Sequence, residues 1–530
     1  MPKTPGILVR TKTILTKIWQ GKFGIPLFLL FAVWLSFFYN LGDVPLTDRD
    51  EGAFSEATRE MFERNDYIST YLNGEPRYDK PILIYWFQAL GVLLFGICEL
   101  AFRLPSALFA SFWVFSVYFF TREQVDRETG WVAAIITATS LLVTVIGRAA
   151  TADALLNLLI ALSMFDIYRY YKESRNIFIY RTFMWIGLGI LTKGPVALII
   201  PVVTSFVFFF LRKQRERWIK AVFNPAGILI LLVITLPWYI IQYFKEGQAF
   251  IDGFFLKHNV GRFNAPMEGH AGELFYYIPV ILLAVLPYTG LLIRSLGRLK
   301  GFWKKEFDLF LWIWFFFVFI FFSFSGTKLP HYILYGSVPL FILMANYRKG
   351  LRFRKLVLVP GLLLFLLILF LPEITEQIRL YGTDDYITAM LGDTQGVFNF
   401  GYRFWSVIAV TSLLILMFTR FLDVWRSLIV AGFITVFIVT HVLMPAVGAV
   451  MQEPVKEAAL FAKEKGYSVV VWGVDHPSFS VYRQKVTPRR KPLEGDIVLT
   501  KVTRLKRLGK YELLFQKGAI VLAHVKETVE

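Results

Sequence analysis

Apolar runs of about 15 to 20 residues recur along nearly the whole chain, and each can cross a hydrocarbon layer of about 30 Å as a helix. Only helices and closed barrels satisfy every backbone polar group in lipid. The runs are continuous and do not alternate apolar with polar, which removes the barrel. The chain is therefore read as an all-α polytopic membrane protein. Its composition agrees: 56% of the 530 residues are hydrophobic and 17% aromatic, well beyond a soluble domain. The first run, from about Gly24 to Tyr39, follows basic residues but precedes no small-residue cleavage site. It is read as a retained anchor. A single cysteine, Cys98, excludes an intramolecular disulfide and paired-cysteine metal motifs.

The net charge of +18 could suggest nucleic acid, but the basic residues sit between the apolar runs. Segments 1–23, 121–129, 169–181, 212–220, 294–305, 347–355 and 420–426 hold 28 Lys/Arg against 6 Asp/Glu. In the alternate connections, 41–80, 148–153, 192–194, 244–274, 325–329 and 372–402, 20 Asp/Glu outnumber the basic residues. The positive-inside rule then puts the N-terminus in the cytoplasm. The segment PILIYWFQALGVLLFGIC (81–98) is apolar enough to span. If it did, RKQRERWIK (212–220) and RSLGRLKGFWKK (294–305) would fall outside. It is therefore read as a re-entrant or interfacial helix on the outer face. About 13 spanning helices result, the weakest near 177–192, which includes Arg181. The membrane domain is taken as 1–446, with surface helices in its first outer loop, 41–101. Beyond it, KEAALFAKEKG (456–466) reads as a helix and YSVVVWGV, GDIVLTKV and GAIVLAHV as strands, so 447–530 is expected to be a small α/β domain outside the membrane.

By this parity the chemically varied residues converge on the outer face. The first outer loop carries ten acids between Asp43 and Asp79. Asp50 is placed to cap a helix running to about Arg64, with Phe54, Ala57 and Met61 on one face. In YDKPILIYW, Lys80 sits where a polar loop meets an apolar helix. It is either a snorkelling lysine or a cation held at headgroup depth for a lipid phosphate. Asp79 beside it is a metal ligand or a partner for a basic group. In GRAATADALL, Asp153 opens a helix, and capping alone explains it. LTKGP (191–195), KHNVGRFNAP (257–266) and GTKLPHYIL (326–334) each place a cation at an outer helix end, which suits an anionic, phosphorylated ligand. None of these motifs is specific singly.

In order and spacing, DEGAFSEATREM (50–61), YDKPILIYW, RLPSAL (103–108), TADALL, LTKGPVAL, HNVGRF and KLPHYIL together resemble the bacterial aminoarabinose transferase and protein O-mannosyltransferase group of the glycosyltransferase C superfamily. The resemblance runs from the first helix to about residue 345. It is nearest to the aminoarabinose transferases, in which a soluble domain follows the last helix. It implies inverting transfer of a sugar from a polyprenyl phosphate, such as undecaprenyl phosphate, in a Gram-negative inner membrane, on the periplasmic face. The acceptor would be lipid A or another surface glycan, or alternatively a protein Ser/Thr hydroxyl. Donor, acceptor and membrane lipids are the implied partners, and nucleic acid is not. By position, Asp50 matches the catalytic aspartate, Asp153 the second site aspartate, and Lys80 the lysine that holds the carrier phosphate. Arg262 and Tyr332 match cavity residues near the donor, with Lys193, Glu51 and His331 in the substrate-binding set. A divalent metal ion is a candidate cofactor, with Asp79 and His258 the pair to watch. The chain departs from the family pattern at Phe54, usually Tyr, and at Asp79, usually Glu, and Arg77 lies close to the site where the family often has an aromatic or apolar residue. These positions bear on which sugar is carried. A flippase or transporter of polyprenyl-linked sugars is the rival class, because broken helices and cavity cations fit it too.

Overall fold

The computed structural model describes residues 24–265, 272–392, 394 and 396–527. The basic segment 1–23 and the middle of the 244–274 connection lie outside these. Among the described residues, five helices are long and apolar enough to cross a membrane: Glu99–Gln124, Pro225–Glu246, Glu306–Ser323, Phe400–Phe418 and Val424–Met451. Two bent pairs raise this to seven. Arg127–Thr139 with Leu141–Arg148 bends by 65°, and Arg354–Leu369 with Leu371–Tyr381 by 52°. Other membrane-sized helices carry charge inside the bundle. Asp166, fully buried in Asp153–Glu173, accepts an ion pair from Arg181 at 3.0 Å, and Trp185 Nε1 donates to it at 2.9 Å. That pairing explains how a helix containing Arg181, Asn176–Lys193, packs in an apolar bundle: a charge is tolerated there only with a partner.

The segment expected to be interfacial forms the helix Leu83–Phe95, whose 13 residues reach about 20 Å, short of a full crossing. It packs on the helix Asp50–Arg64. Phe54, Ala57 and Met61 share one apolar cluster with Ile82, Leu83, Ile84 and Tyr85, as their spacing predicts. A two-residue hairpin, β1 (Tyr71–Leu72) and β2 (Glu75–Pro76), connects the two helices.

From Glu453 the chain leaves the bundle. The helix Glu453–Glu464 covers a four-stranded sheet of β3 (Val469–Val471), β4 (Ile497–Lys501), β5 (Lys510–Lys517) and β6 (Ile520–Glu527), in the order β3-β4-β6-β5. β3 and β4 are parallel; β6 runs antiparallel to both β4 and β5. The three predicted strands are present. The fourth, β5, is the exposed edge, so no buried alternation marks it in the sequence.

This unit grips the first loop. Asp48 accepts from the Ser478 N–H at 2.9 Å and hydroxyl at 2.6 Å, and contacts His476 Nδ1 at 3.1 Å. The Leu46 N–H donates to the Tyr482 hydroxyl at 2.7 Å, and Lys456 pairs with Glu99 at 2.8 Å. Gly52 sits at this contact. A Cβ there would lie 2.7 Å from Ser478 N, so the close approach requires glycine.

Candidate functional site

Asp50 does not cap its helix. It occupies the first turn with its side chain exposed, and no capping hydrogen bond is made at the N-cap, Arg49. The carboxylate instead borders a cavity of about 190 Å³ that it shares with Asp153, His331, Arg103 and Arg148.

Its neighbour Glu51 corrects the sequence reading. One carboxylate oxygen accepts from Arg103 Nε at 2.8 Å and the Ala150 N–H at 2.7 Å. The other accepts from Arg103 Nη2 and the Thr47 N–H, both at 2.8 Å. Arg103 also donates to the carbonyls of Leu41, Val44 and Pro45. Burial pushes the Glu51 carboxyl up, but Arg103 and the two backbone N–H groups outweigh it and hold it below the usual range. With every lone-pair direction taken, Glu51 fastens the first loop to the bundle and has nothing left for a substrate.

Lys80 ends the loop just before Pro81, its side chain only 11% exposed. Its Nζ donates to the Asp79 carbonyl at 2.9 Å and lies 3.6 Å from the Asp79 carboxylate. Arg77 grips that carboxylate with two bonds, Nε at 2.5 Å and Nη2 at 2.9 Å. Burial lowers Lys80 to about 8; Asp79 opposes this, and the cations Arg262, Lys193 and Arg77 add to it. Asp79 itself is held far below the usual carboxylate range by Arg77 and Lys80, against the effect of its burial. Arg77 also stacks over the Phe54 ring, 5.2 Å from its centroid. Arg77 thus links Phe54 to Asp79.

The third group hangs from Asp153, at the first turn of its helix. One of its oxygens accepts from Lys193 Nζ at 2.6 Å and the Tyr335 hydroxyl at 2.8 Å, with His331 Nε2 at 3.6 Å. Lys193 ends its helix, and Gly194 follows with φ +80°, where a Cβ would also meet the Phe254 ring at 2.8 Å. The glycine of LTKGP therefore sets where the lysine stops. Lys193 lies 5.4 Å over the Tyr332 ring, and Arg262 Nη1 reaches the Tyr332 hydroxyl at 3.5 Å. The structure thus gathers Lys80, Asp79, Arg262, Lys193, Tyr332, His331, Asp153 and Asp50 at one place. Lys328, also expected outside, is buried and donates to the Ser325 carbonyl.

His258 senses the charges of Asp79, Lys80 and Arg262 and, chiefly through burial, is lowered to about 4. Asp79 and His258 do not fit a resident metal ion. Arg77 occupies both Asp79 oxygens, lysine and arginine surround the pair, and no third ligand joins them among the described residues. Sequence reasoning missed Tyr335, Arg77 as the Asp79 partner, and Arg103. Tyr335 had a signal: in a 3₁₀ turn residues i and i+3 eclipse, so HYILY puts both tyrosines on one side.

Residues 79–241 match the family model described as dolichyl-phosphate-mannose-protein mannosyltransferase. An undecaprenyl phosphate-α-4-amino-4-deoxy-L-arabinose arabinosyl transferase of Yersinia enterocolitica is 32% identical over 340 residues, 62% of this chain and 60% of that protein. An uncharacterized protein of Aquifex aeolicus is 30% identical over 357 residues, 66% of this chain and 78% of that one. The likeness to this mannosyltransferase family is carried by residues 79–241. The chain matches about six tenths of the length of the Yersinia transferase. The likeness in fold extends further. The crystal structure of ArnT from Cupriavidus metallidurans bound to undecaprenyl phosphate superposes with a TM-score of 0.78 at 18% identity, covering 95% of this chain and 98% of that one.

Proposed function

We propose that this chain is an integral-membrane glycosyltransferase that moves a sugar, with inversion, from a polyprenyl phosphate to lipid A or another acceptor at the periplasmic face of the inner membrane. The N-terminus then lies in the cytoplasm, the 447–530 domain in the periplasm. The observation that carries the reading is the charge balance around Lys80. Lys80, Arg77 and Lys193 meet only Asp79 and Asp153, three cations against two carboxylates, beside a cavity lined by Asp50. A phosphate-linked donor supplies the missing negative charge. The relatives agree: the Yersinia protein is an undecaprenyl phosphate-dependent arabinosyl transferase, and the Cupriavidus structure is bound to undecaprenyl phosphate.

In this chemistry the acceptor oxygen bonds to the anomeric carbon as the bond from that carbon to the carrier phosphate breaks. The electron pair leaves on the phosphate, which gains one negative charge. Lys80 and Arg262 stabilise that charge as it develops. Asp153 holds Lys193 in place through a 2.6 Å ion pair, and Tyr335 fixes the same oxygen. Asp50 is the carboxylate without such a clamp. It serves a hydroxyl acceptor as base, whereas an ionised phosphate acceptor needs none.

The deciding experiment is transfer by the purified chain in vesicles, with undecaprenyl phosphate-aminoarabinose and lipid A, read by mass spectrometry. A sugar increment on lipid A supports the reading; movement of donor between leaflets with no product would favour the flippase. Asp50→Asn is expected to lower transfer about 10²- to 10⁴-fold if the acceptor is a hydroxyl. Near-normal turnover would remove any essential role for that carboxylate.

Donor binding should also depend on pH. Lys80 is charged below about 8, and only the ammonium attracts the phosphate. Affinity is therefore expected to weaken as pH rises through about 8, by up to about tenfold per unit for one linked proton. Lys80→Arg should flatten that dependence, because a guanidinium stays charged. A titration of undecaprenyl phosphate binding between pH 6 and pH 10 checks it.

A further inference from the structure

A second cavity, of about 580 Å³, opens where the first loop meets the C-terminal unit. Three parallel backbone segments end at it. β3 pairs in parallel with β4 on one side. On the other, Val471 bridges Arg489 in parallel, donating to the Pro488 carbonyl at 2.9 Å and accepting from the Arg490 N–H at 3.3 Å. In open α/β sheets, the carboxyl ends of parallel strands are where ligands bind. Trp472, just after β3, and Lys501, the last residue of β4, line the cavity there, and so does Tyr386 of the short helix Asp385–Met390.

The charges lining it are Arg49, Arg489, Arg490 and Lys501 against Asp48 and Asp475, with His476 beside them. The acids are shared or closed. Asp475 serves both Arg489, at 2.9 Å, and Arg49, at 3.8 Å. Asp48 is taken by Ser478 and His476. Arg490 draws its counter-charge, Asp496, from outside the lining. Among the described residues, no carboxylate lies within ion-pair distance of Lys501, whose Nζ sits 5.2 Å over the Tyr386 ring. Arg504, stacked 5.1 Å over Trp472, has no carboxylate there either. With Asp496 counted, five cations meet three carboxylates. Asp384 and Asp385 open the neighbouring helix and do not line the cavity. The excess is local in the sequence too: 483–510 holds ten Lys/Arg against two Asp/Glu, whereas 447–482 holds three against four.

We propose that this cavity binds an acidic saccharide, one whose rings carry carboxylate or phosphate groups. That the ligand is an anion rests on the charges alone; that it is a saccharide rests on the glycosyl-transfer reading. Guanidinium and ammonium groups take the acid, and their remaining N–H donors take ring hydroxyls. Tyr386 and Trp472 give the apolar faces of the rings a surface to lie on. The volume suits more than one ring, since small-molecule cavities run from about 300 to 1,000 Å³. Two sources carry this chemistry: the outer sugars of the acceptor itself, and a free oligosaccharide. Asp48 argues for the first. It lines both this cavity and the one bordered by Asp50, so a chain of sugars that enters the smaller can continue into the larger.

The test uses the full chain in detergent, with trigalacturonic acid as the acidic probe and maltotriose as the neutral one. Trigalacturonate should bind at least about tenfold more tightly than maltotriose, weaken as salt is raised, and stay bound when undecaprenyl phosphate is added. The double variant Arg489→Gln with Lys501→Gln is expected to lose at least about tenfold of that affinity. Arg489→Lys with Lys501→Arg, which keeps both charges, should retain most of it, so a loss of folding in the first variant leaves the second to decide. Equal losses in the two variants, maltotriose binding as tightly as trigalacturonate, or displacement of trigalacturonate by an equal concentration of inorganic phosphate overturns the proposal. A transfer assay separates the two sources, with lipopolysaccharide and the lipid A released from it by mild acid as acceptors. If the acceptor's outer sugars fill the cavity, the neutral double variant raises the Michaelis constant for lipopolysaccharide at least about tenfold more than that for lipid A. Equal changes, with trigalacturonate binding lost, assign the cavity to a free acidic oligosaccharide. Trigalacturonate binding without transfer to any acceptor supports the anion site and overturns the transferase reading instead.

Discussion

Lys80→Ala is expected to lower transfer from the polyprenyl-phosphate donor by about 10²- to 10³-fold, the usual loss when one preorganised charge at a developing anion is removed. Three features make this residue the most consequential in the site. Its side chain is only 11% exposed, so little water screens it. Asp79, its nearest acid, is already gripped by two bonds from Arg77, which leaves the lysine charge to act outward. Arg262 and Lys193 add positive potential but are engaged with Tyr332 and Asp153. The assay is single-turnover transfer in vesicles, accompanied by undecaprenyl phosphate binding. Both should fall, because in the proposed reaction the carrier phosphate faces this lysine before and after the sugar leaves. The corresponding measurement in cells is the mass of lipid A and surface glycans with and without the gene. A mass increment lost both on deletion and in Lys80→Ala cells would identify the sugar. Full transfer by Lys80→Ala would move the carrier phosphate away from this loop.

Local patterns were legible in the sequence, and long-range partnerships were not. The helix Asp50–Arg64 could be read because Phe54, Ala57 and Met61 repeat at helical spacing and do share one apolar cluster. The parallel and antiparallel strands β3, β4 and β6 were marked by valine-rich runs, whereas β5 lies exposed at an edge where burial imposes no pattern. Within the site, the motifs located Lys80, Asp153, Lys193 and Arg262 but not their partners. Asp153 meets Tyr335 from 182 residues away, and Glu51 meets Arg103 from 52. No local rule reports such a pair. The same blindness made Glu51 look like a ligand and Asp50 like a cap. Adjacent acids in one motif are indistinguishable until the fold shows which one is enclosed. The glycines carry a similar lesson: Gly52 is demanded by a serine of the C-terminal unit, more than 400 residues later.

Glu51→Gln is expected to destabilise the protein by about 3–5 kcal/mol, because it leaves the buried Arg103 guanidinium without its counter-charge. Both side chains are about 5% exposed, so solvent offers no replacement. Thermal unfolding in detergent should show a clearly lower midpoint, and Arg103→Ala a similar one. Because the folded pKa of Glu51 is depressed, its contribution is present above the usual glutamate range and lost as pH falls through the folded value. The wild-type midpoint should therefore drop steeply in acid, and that of Glu51→Gln less so. Transfer should fall with stability, since the same clamp ties the loop from Leu41 to Thr47, just before Asp50, to the helix bearing Arg103 and to Ala150. A substrate-binding glutamate predicts something else: an unchanged midpoint with only the Michaelis constant raised. The double replacement Glu51→Leu with Arg103→Met separates the two roles further. Removing both charges spares the unpaired guanidinium, so much of the lost stability should return. A double variant less stable than either single one would mean that the three carbonyl contacts of Arg103, more than its pairing with Glu51, hold the first loop against the bundle.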